Sequence, residues 1–575
     1  MDYKAEYQKW LDCPSLSESE WQELDAIRND EKEIESRFFA PLEFGTAGLR
    51  GTMKLGLHHM NVHVIRHATQ AFANVIAAEG AAAKQKGVVV CYDCRNNSES
   101  FAREAACVMA GNGIHARLFD ALRPTPELSF AIRRYGATAG INVTASHNPK
   151  EYNGYKVYWS DGAQLPPHHA EAIAAEMGRL DIFNGFTSMD FEEAKAAGLI
   201  EMIGAETDEA FLEKVMGQAI DREVVARCAD KLKIVYTPFH GTGHILVPEA
   251  LKRLGMKHLT PEPRQMVIDG DFPTVASPNP ENPEGFYLAV DLAKEIGSDL
   301  ILGTDPDADR IGVMVRDGDG FVPITGNQMG VLLLDYVIGA KKRTGTLPEN
   351  PAALKTIVST EMAREVCRRN DVYMEDTFTG FKFMAEKIAQ WETDGSHNCV
   401  FAFEESYGYL MGDYVRDKDA VTAAMMIGEM AAYYCEKGMT LLDALNALYE
   451  KYGAFGEKTL NLVMPGLDGL ARMKRLMELL RKDPPAEVAG VAVSLVRDYL
   501  SGETSVAGLG VVGETHIKGS NVLYFELEDG SSFIIRPSGT EPKIKVYLLV
   551  KDETRAKCEE KIARFAAYAE TLKDL

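Results

Sequence analysis

A long apolar run is the first thing missing from this chain. No stretch approaches the roughly 18 consecutive apolar residues that a membrane-crossing helix needs, so no membrane span is expected. The opening MDYKAEYQKWLDCPSL has no basic stretch followed by an apolar one, which speaks against a secretory leader. Basic charge is scarce. Lys and Arg number 62 against 85 Asp and Glu, a formal net charge of −23, and that balance disfavours nucleic acid or an anionic membrane as partner. It leaves room for a small anionic ligand, because a pocket can be basic on an acidic protein. A cysteine-based zinc site is lacking too. The nine cysteines are scattered and only Cys91 and Cys94 form C-x-x-C, with no second pair to complete four ligands. Reduced thiols near a strand end and a cytoplasmic protein are the expectation; nothing in the sequence sets an oligomeric state.

What is present suffices for several cores. The 575 residues, 46% hydrophobic and 26% charged, match three or four domains at about 100–200 residues each. Residues 1–40 read as a helical arm, with Ser17 and Glu20 at capping-box spacing and Trp21, Leu24, Ile27 and Ile34 on a helical period. Beyond it, buried-type strands alternate with helical stretches. Gly87–Tyr92 precedes a helix-like Ser98–Asn112, and Ala139–Thr144 runs into a polar loop. Lys233–Tyr236, Asp299–Gly303, Leu354–Val358 and Val400–Phe403 follow. This alternation predicts parallel α/β layers. Asp-Gly turns in Asp317–Gly320 and at Asp529–Gly530 predict hairpins. From about residue 456 the texture changes to strands with a closing helix from about Asp552, the pattern of an α+β domain. The expected division is a helical arm 1–40, α/β domains 41–205, 206–322 and 323–455, and an α+β domain 456–575.

Four loops carry residues suited to chemistry, and three of them leave strands, where ligands gather in open α/β sheets. Thr144–Ala145–Ser146–His147–Asn148–Pro149 holds a serine at a strand end; it reads as a nucleophile, a phosphorylation site or an ordinary turn, and it lacks the G-x-S-x-G flanks of a hydrolase elbow. Thr304–Asp305–Pro306–Asp307–Ala308–Asp309–Arg310 sets three carboxylates at alternate positions. In an extended segment they turn to one side, and converging carboxylates call for a cation. An all-oxygen set suits Mg²⁺, while the glutamate that completes a calcium loop is missing. Phe403–Glu404–Glu405–Ser406–Tyr407–Gly408 offers carboxylates and a hydroxyl to a sugar, and Arg536–Pro537–Ser538–Gly539–Thr540–Glu541–Pro542 offers an anion cradle with a fork-shaped guanidinium.

In this order the four loops resemble those of the α-D-phosphohexomutase superfamily, the phosphoglucomutases and phosphomannomutases. TASHNP is similar to the phosphoserine loop, GTDPDADR to the metal loop, FEES to the sugar-binding loop and RPSGTEP to the phosphate-binding loop. FGTAGLRG at Phe44–Gly51, Tyr152–Lys156, Thr379–Lys382 and Arg416–Asp419 look like the phosphoglucomutase and phosphopentomutase branch. The resemblance runs from about residue 40 to the C-terminus. It implies three related α/β domains with mixed sheets plus a C-terminal α+β domain around a central cleft.

It also implies roles. Ser146 would carry the phosphoryl group and, with Asp305, Asp307 and Asp309, bind Mg²⁺. Arg50, His147 and Arg310 would surround the reacting phosphate, and Lys156 would exchange a proton with the sugar hydroxyl. Gly380, Lys382, Glu404 and Ser406 would meet the sugar, and Arg536, Ser538, Gly539 and Thr540 would hold the distal phosphate with Arg416 and Lys418 nearby. The activity implied is α-phosphoglucomutase, interconverting glucose 1-phosphate and glucose 6-phosphate with glucose 1,6-bisphosphate as intermediate and activator; phosphopentomutase or phosphomannomutase is the alternative. The sugar loop departs from many members, which place a histidine after Ser-Gly where this chain reads Ser406–Tyr407–Gly408–Tyr409. A sugar phosphatase, or a sugar-phosphate-binding protein without activity, are the readings from other classes.

Overall fold

The computed structural model describes residues 2–45, 48–464, 469–538 and 543–574. The chain forms two compact units. The first comprises Met1–Thr325, Ala385–Asp394 and Tyr407–Thr440, the second Gly326–Met384, Gly395–Ser406 and Leu441–Leu575.

The first unit opens with three short helices, Tyr3–Leu11, Glu18–Ala26 and Glu31–Phe38. The expected capping box is made: Ser17 N donates to Glu20 Oε2 at 2.8 Å and Glu20 N to Ser17 Oγ at 3.3 Å. The arm's anchor differs from the periodicity's choice. Trp21 stays 39% exposed, whereas Trp10 is fully buried against Phe38, His63 and Phe183.

Two mixed sheets follow. In one, Val88–Tyr92 pairs in parallel with Ala116–Phe119 and Ala139–Val143, and Ile200–Ile203 extends the parallel edge. The long Tyr152–Trp159 returns antiparallel to Ala139–Val143, with Leu49–Thr52 beyond it. All five residues of Val88–Tyr92 and of Ala139–Val143 are buried, as strands covered on both faces must be. In the other sheet Lys233–Thr237 lies parallel to His258–Pro261 and Leu300–Thr304, and the hairpin Ile311–Asp317/Gly320–Ile324 turns at Gly318–Asp319, within the expected Asp317–Gly320 segment. Helix Ala420–Glu436, buried along nearly its whole length, packs on helices Gly243–Leu254 and Arg222–Cys228.

In the second unit Tyr373–Thr377, Pro351–Thr356 and Asn398–Glu404 are parallel. The C-terminal sheet is antiparallel, running Ala454–Val463, Lys543–Asp552, Ser532–Pro537, Leu523–Leu527, Val491–Asp498, Glu503–Val506 and Gly510–Glu514. Helix Arg555–Thr571 covers its first two strands. Gly510–Glu514 is last in the order and exposed throughout, with Val511 and Val512 at 60% and 53% and the preceding Leu509 at 76%. Three α/β layers and a terminal α+β domain are thus the architecture. Among the described residues no helix is long and apolar enough to cross a membrane.

Candidate active site

Ser146 sits at the end of a wholly buried strand, 3% exposed, with a left-handed φ of 54°. Such a backbone is costly for a residue with a Cβ, so surrounding contacts must hold it. They do. Ser146 N donates to Thr144 Oγ1 at 2.9 Å, and Thr144 Oγ1 donates to Asp93 Oδ2 at 2.6 Å. The guanidinium of Arg95 reaches four carbonyl oxygens of the loop: Ser146 and Asn148 at 2.6 and 2.5 Å, Pro149 and Tyr152 at 2.9 and 3.1 Å. Its Nε lies 3.2 Å from Asp93 Oδ2, and its plane covers Phe272. Gly154 completes the seat, because a Cβ there would stand 2.5 Å from the carbonyl oxygen of Thr144.

The aspartate loop comes to the same place. Asp305, Asp307 and Asp309 are 0%, 0% and 2% exposed, each with a ligand atom within 4.8 Å of the others. Their convergence arises differently from the extended alternation expected. The segment is a tight turn, with Ala308 N donating to Asp305 O at 3.0 Å and Ala308 at φ 49°. Turning the chain back on itself brings together three carboxylates that an extended strand would have spread over about 13 Å.

Ser146 Oγ is 3.1 Å from Asp305 Oδ2 and 3.1 Å from His147 Nδ1. Asp307 Oδ2 accepts from Lys156 Nζ at 2.7 Å and from Thr125 Oγ1 at 2.8 Å. Asp309 Oδ2 lies 3.1 Å from Lys418 Nζ, which also contacts Asp417 at 3.0 Å. Arg310 pairs with Glu281 at 2.9 Å, and Arg50, exposed, donates to Asn148 Oδ1 at 3.1 Å.

Burial, then the charges of Asp307 and Asp309, push the Asp305 carboxyl well up. Burial acts the same way on Asp307, yet Lys156 overcomes it and holds that carboxyl below the usual range. His147 is pushed well down by burial and by the cations of Arg310 and Arg50, so its imidazole is neutral. Asp307 Oδ1 and Asp309 Oδ1 are buried without a hydrogen-bond partner. Orphaned anionic oxygens at this depth are expensive, and three converging carboxylates with oxygen donors only fit a hard divalent cation. The residues present suit such an ion.

Arg416 lies elsewhere: its side chain is wholly buried, donating to Asp413 O at 2.6 Å and paired with Glu392. In the second unit Glu404 Oε1 accepts from Gly380 N at 3.0 Å, while Glu405 Oε2 takes Thr356 Oγ1 at 2.8 Å and Ser359 Oγ at 3.3 Å. Glu405 is thereby tied into its own domain. Lys382 Nζ stands 4.9 Å from the Phe383 ring centre, and Ser406 is half-buried. Arg536 faces Lys545 across the ladder and hydrogen-bonds Tyr547, whose hydroxyl is pushed up to about 12 by burial and by the nearby Glu405 and Glu404. Ser538 N donates to Lys543 O at 2.9 Å. Gly539 and Thr540 lie outside the described residues. Sequence reading missed Arg95 and Thr125. The Asp93-x-Arg95 pair interleaves the C-x-x-C that drew notice, whereas Cys91 and Cys94 are buried free thiols. Thr125 has no local signal.

Comparison with known proteins bears on the family and the fold. Four family models match in order: phosphoglucomutase/phosphomannomutase alpha/beta/alpha domain I at residues 41–182, domain II at 209–318, domain III at 325–452 and the C-terminal domain at 473–567. A phosphoglucomutase of Staphylococcus aureus is 36% identical over 533 residues, 91% of this chain and 92% of that protein. Among solved structures, a phosphoglucomutase of Paramecium (parafusin, open form) aligns with TM-score 0.68 at 18% identity, covering 93% of this chain and 96% of that one. A putative phosphomannomutase of Thermus thermophilus aligns with TM-score 0.67 at 20% identity, covering 92% and 99%.

Proposed function

The chain belongs to the phosphoglucomutase/phosphomannomutase family, and from that premise we propose that it interconverts glucose 1-phosphate and glucose 6-phosphate through a phosphorylated Ser146. The observation that carries the reading is the 3.1 Å approach of Ser146 Oγ to Asp305 within the buried carboxylate trio. The phosphoserine P–Oγ bond breaks as the free hydroxyl of the sugar monophosphate forms its own bond to phosphorus. Glucose 1,6-bisphosphate results and turns end for end. Its other phosphoryl group then returns to Ser146 Oγ.

Asp305, Asp307 and Asp309, with an oxygen of the phosphoserine, would hold Mg²⁺, which supplies neutralisation of the charge on the transferring group. Arg95 and Asp93 fix the serine loop, so the nucleophile is placed before substrate arrives. Neutral His147 stands ready to take the serine proton on the return step. Lys156 is the proposed partner for the proton of the sugar hydroxyl, and Arg50 and Arg310 surround the reacting phosphate with positive charge, joined by Lys418, which lies at Asp309 and not with the distal-phosphate group where it was expected. Gly380, Lys382, Glu404 and Ser406 read the sugar, and Arg536 with Ser538, Gly539 and Thr540 holds the distal phosphate.

A coupled assay of purified protein on glucose 1-phosphate, mannose 1-phosphate and ribose 1-phosphate, with trace bisphosphate, tests the reading. Fastest turnover of the glucose ester, lost in Ser146→Ala, is the expected result. Steady release of inorganic phosphate instead would make the chain a phosphatase, and preference for another ester would replace the sugar.

A further inference from the structure

Asn142 is out of place. It is the fourth residue of Ala139–Val143, a strand otherwise of Ala, Gly, Ile and Val, and it is fully buried. Its Oδ1 finds no hydrogen-bond partner. An amide placed there at such cost should do something with its other end.

That end meets Thr125. Asn142 Nδ2 lies 2.8 Å from Thr125 Oγ1, and Thr125 Oγ1 lies 2.8 Å from Asp307 Oδ2. The proton directions follow without choice. Thr125 Oγ1 donates to Asp307 Oδ2 and spends its single hydroxyl proton there. The amide must then present its N–H to the hydroxyl oxygen. Thr125 also donates its backbone N–H to Asp307 O at 2.8 Å, so one residue grips both ends of the aspartate. Register adds a constraint: Asn142 faces Lys156 directly across the antiparallel pair. Lys156 reaches Asp307 Oδ2 itself, and Asn142 reaches it through Thr125. With Oδ2 occupied twice, Oδ1 is the oxygen left over.

We propose that Thr125 and Asn142 are positioning residues for the metal centre, a buried relay that locks the Asp307 carboxylate in one rotation and commits its Oδ1 to the cation. The inference rests on the functional reading above for its purpose, while its geometry stands on the first unit alone.

Outer partners of metal-binding side chains are typically worth about 10–100-fold in metal affinity. Calorimetric titration of the unphosphorylated full chain with Mn²⁺ and with Mg²⁺ should show binding weakened about tenfold in Thr125→Val. Thr125→Ser, which keeps the hydroxyl, should bind as wild type. Asn142→Leu should weaken binding too, and adding it to Thr125→Val should cost nothing more, because the two act in series. At saturating metal kcat should recover in all variants. Thr125→Val titrating like wild type overturns the relay and leaves the mutase reading intact, as does Thr125→Ser weakened as much as Thr125→Val. A wild type that binds metal through the relay yet turns over no sugar phosphate overturns the mutase reading instead.

Discussion

A single guanidinium braces the backbone that carries Ser146. Arg95 donates to four carbonyl oxygens that would otherwise be free to let the loop relax away from a left-handed serine. Lysine keeps the charge but has no planar fork to span them. Arg95→Lys should therefore lower kcat about 100-fold while the protein stays folded, since small displacements of a nucleophile cost on that scale; steady-state kinetics beside a thermal melt decide it. Glu127 gives a second test at this scale. Burial and the carboxylate of Asp208 push its carboxyl well up, against the pull of Arg123 at 4.0 Å. The folded protein thus keeps a proton that the unfolded chain releases above about pH 4.3. Stability contributed by this group is present below that pH and falls as pH rises toward the folded value. Glu127→Gln should remove the decline, so its melting temperature relative to wild type should rise between about pH 5 and about pH 8.

At the level of elements, the strand Tyr152–Trp159 is the member on which the site is hung, since it bears Lys156 and passes close under Thr144. Gly154→Ala would drive a methyl into the Thr144 carbonyl at 2.5 Å, where backbone cannot yield as a side chain can. The serine loop should shift and activity fall by at least about tenfold, with metal affinity less affected; kinetics and metal titration on the same sample separate the two. The serine and aspartate loops, which the fold brings together, were legible in the sequence because each packs its chemistry into a short contiguous run. The braces were not, because Arg95, Thr125 and Asn142 act across 51, 182 and 17 positions of chain. The shape of the aspartate loop was misjudged for a related reason: its turn depends on Ala308 taking a left-handed φ, and alanine does not advertise that as glycine would. In the arm, helical period could not tell which tryptophan had a cavity to enter, and the one that does is Trp10.

For the molecule as a whole, folding assembles the carboxylate trio from a chain whose net charge of −23 already opposes compaction. Three carboxyl groups gathered at full burial should make the apo protein less stable than the metal-bound one. A ligand bound only by the folded state at about 100 times its dissociation constant adds about 2.7 kcal/mol. Chelation should accordingly lower the wild-type melting temperature, and Asp307→Asn should shrink that drop; equal drops in both proteins would place the ion elsewhere.

The hairpin that closes the C-terminal sheet bears on how the protein keeps in a tube. Its outermost strand offers unspent backbone donors and acceptors along an uncharged valine pair, which is the surface on which extended chains stack. Concentrated or warmed stocks should lose clarity from this border inward, long before the buried carboxylate cluster is harmed.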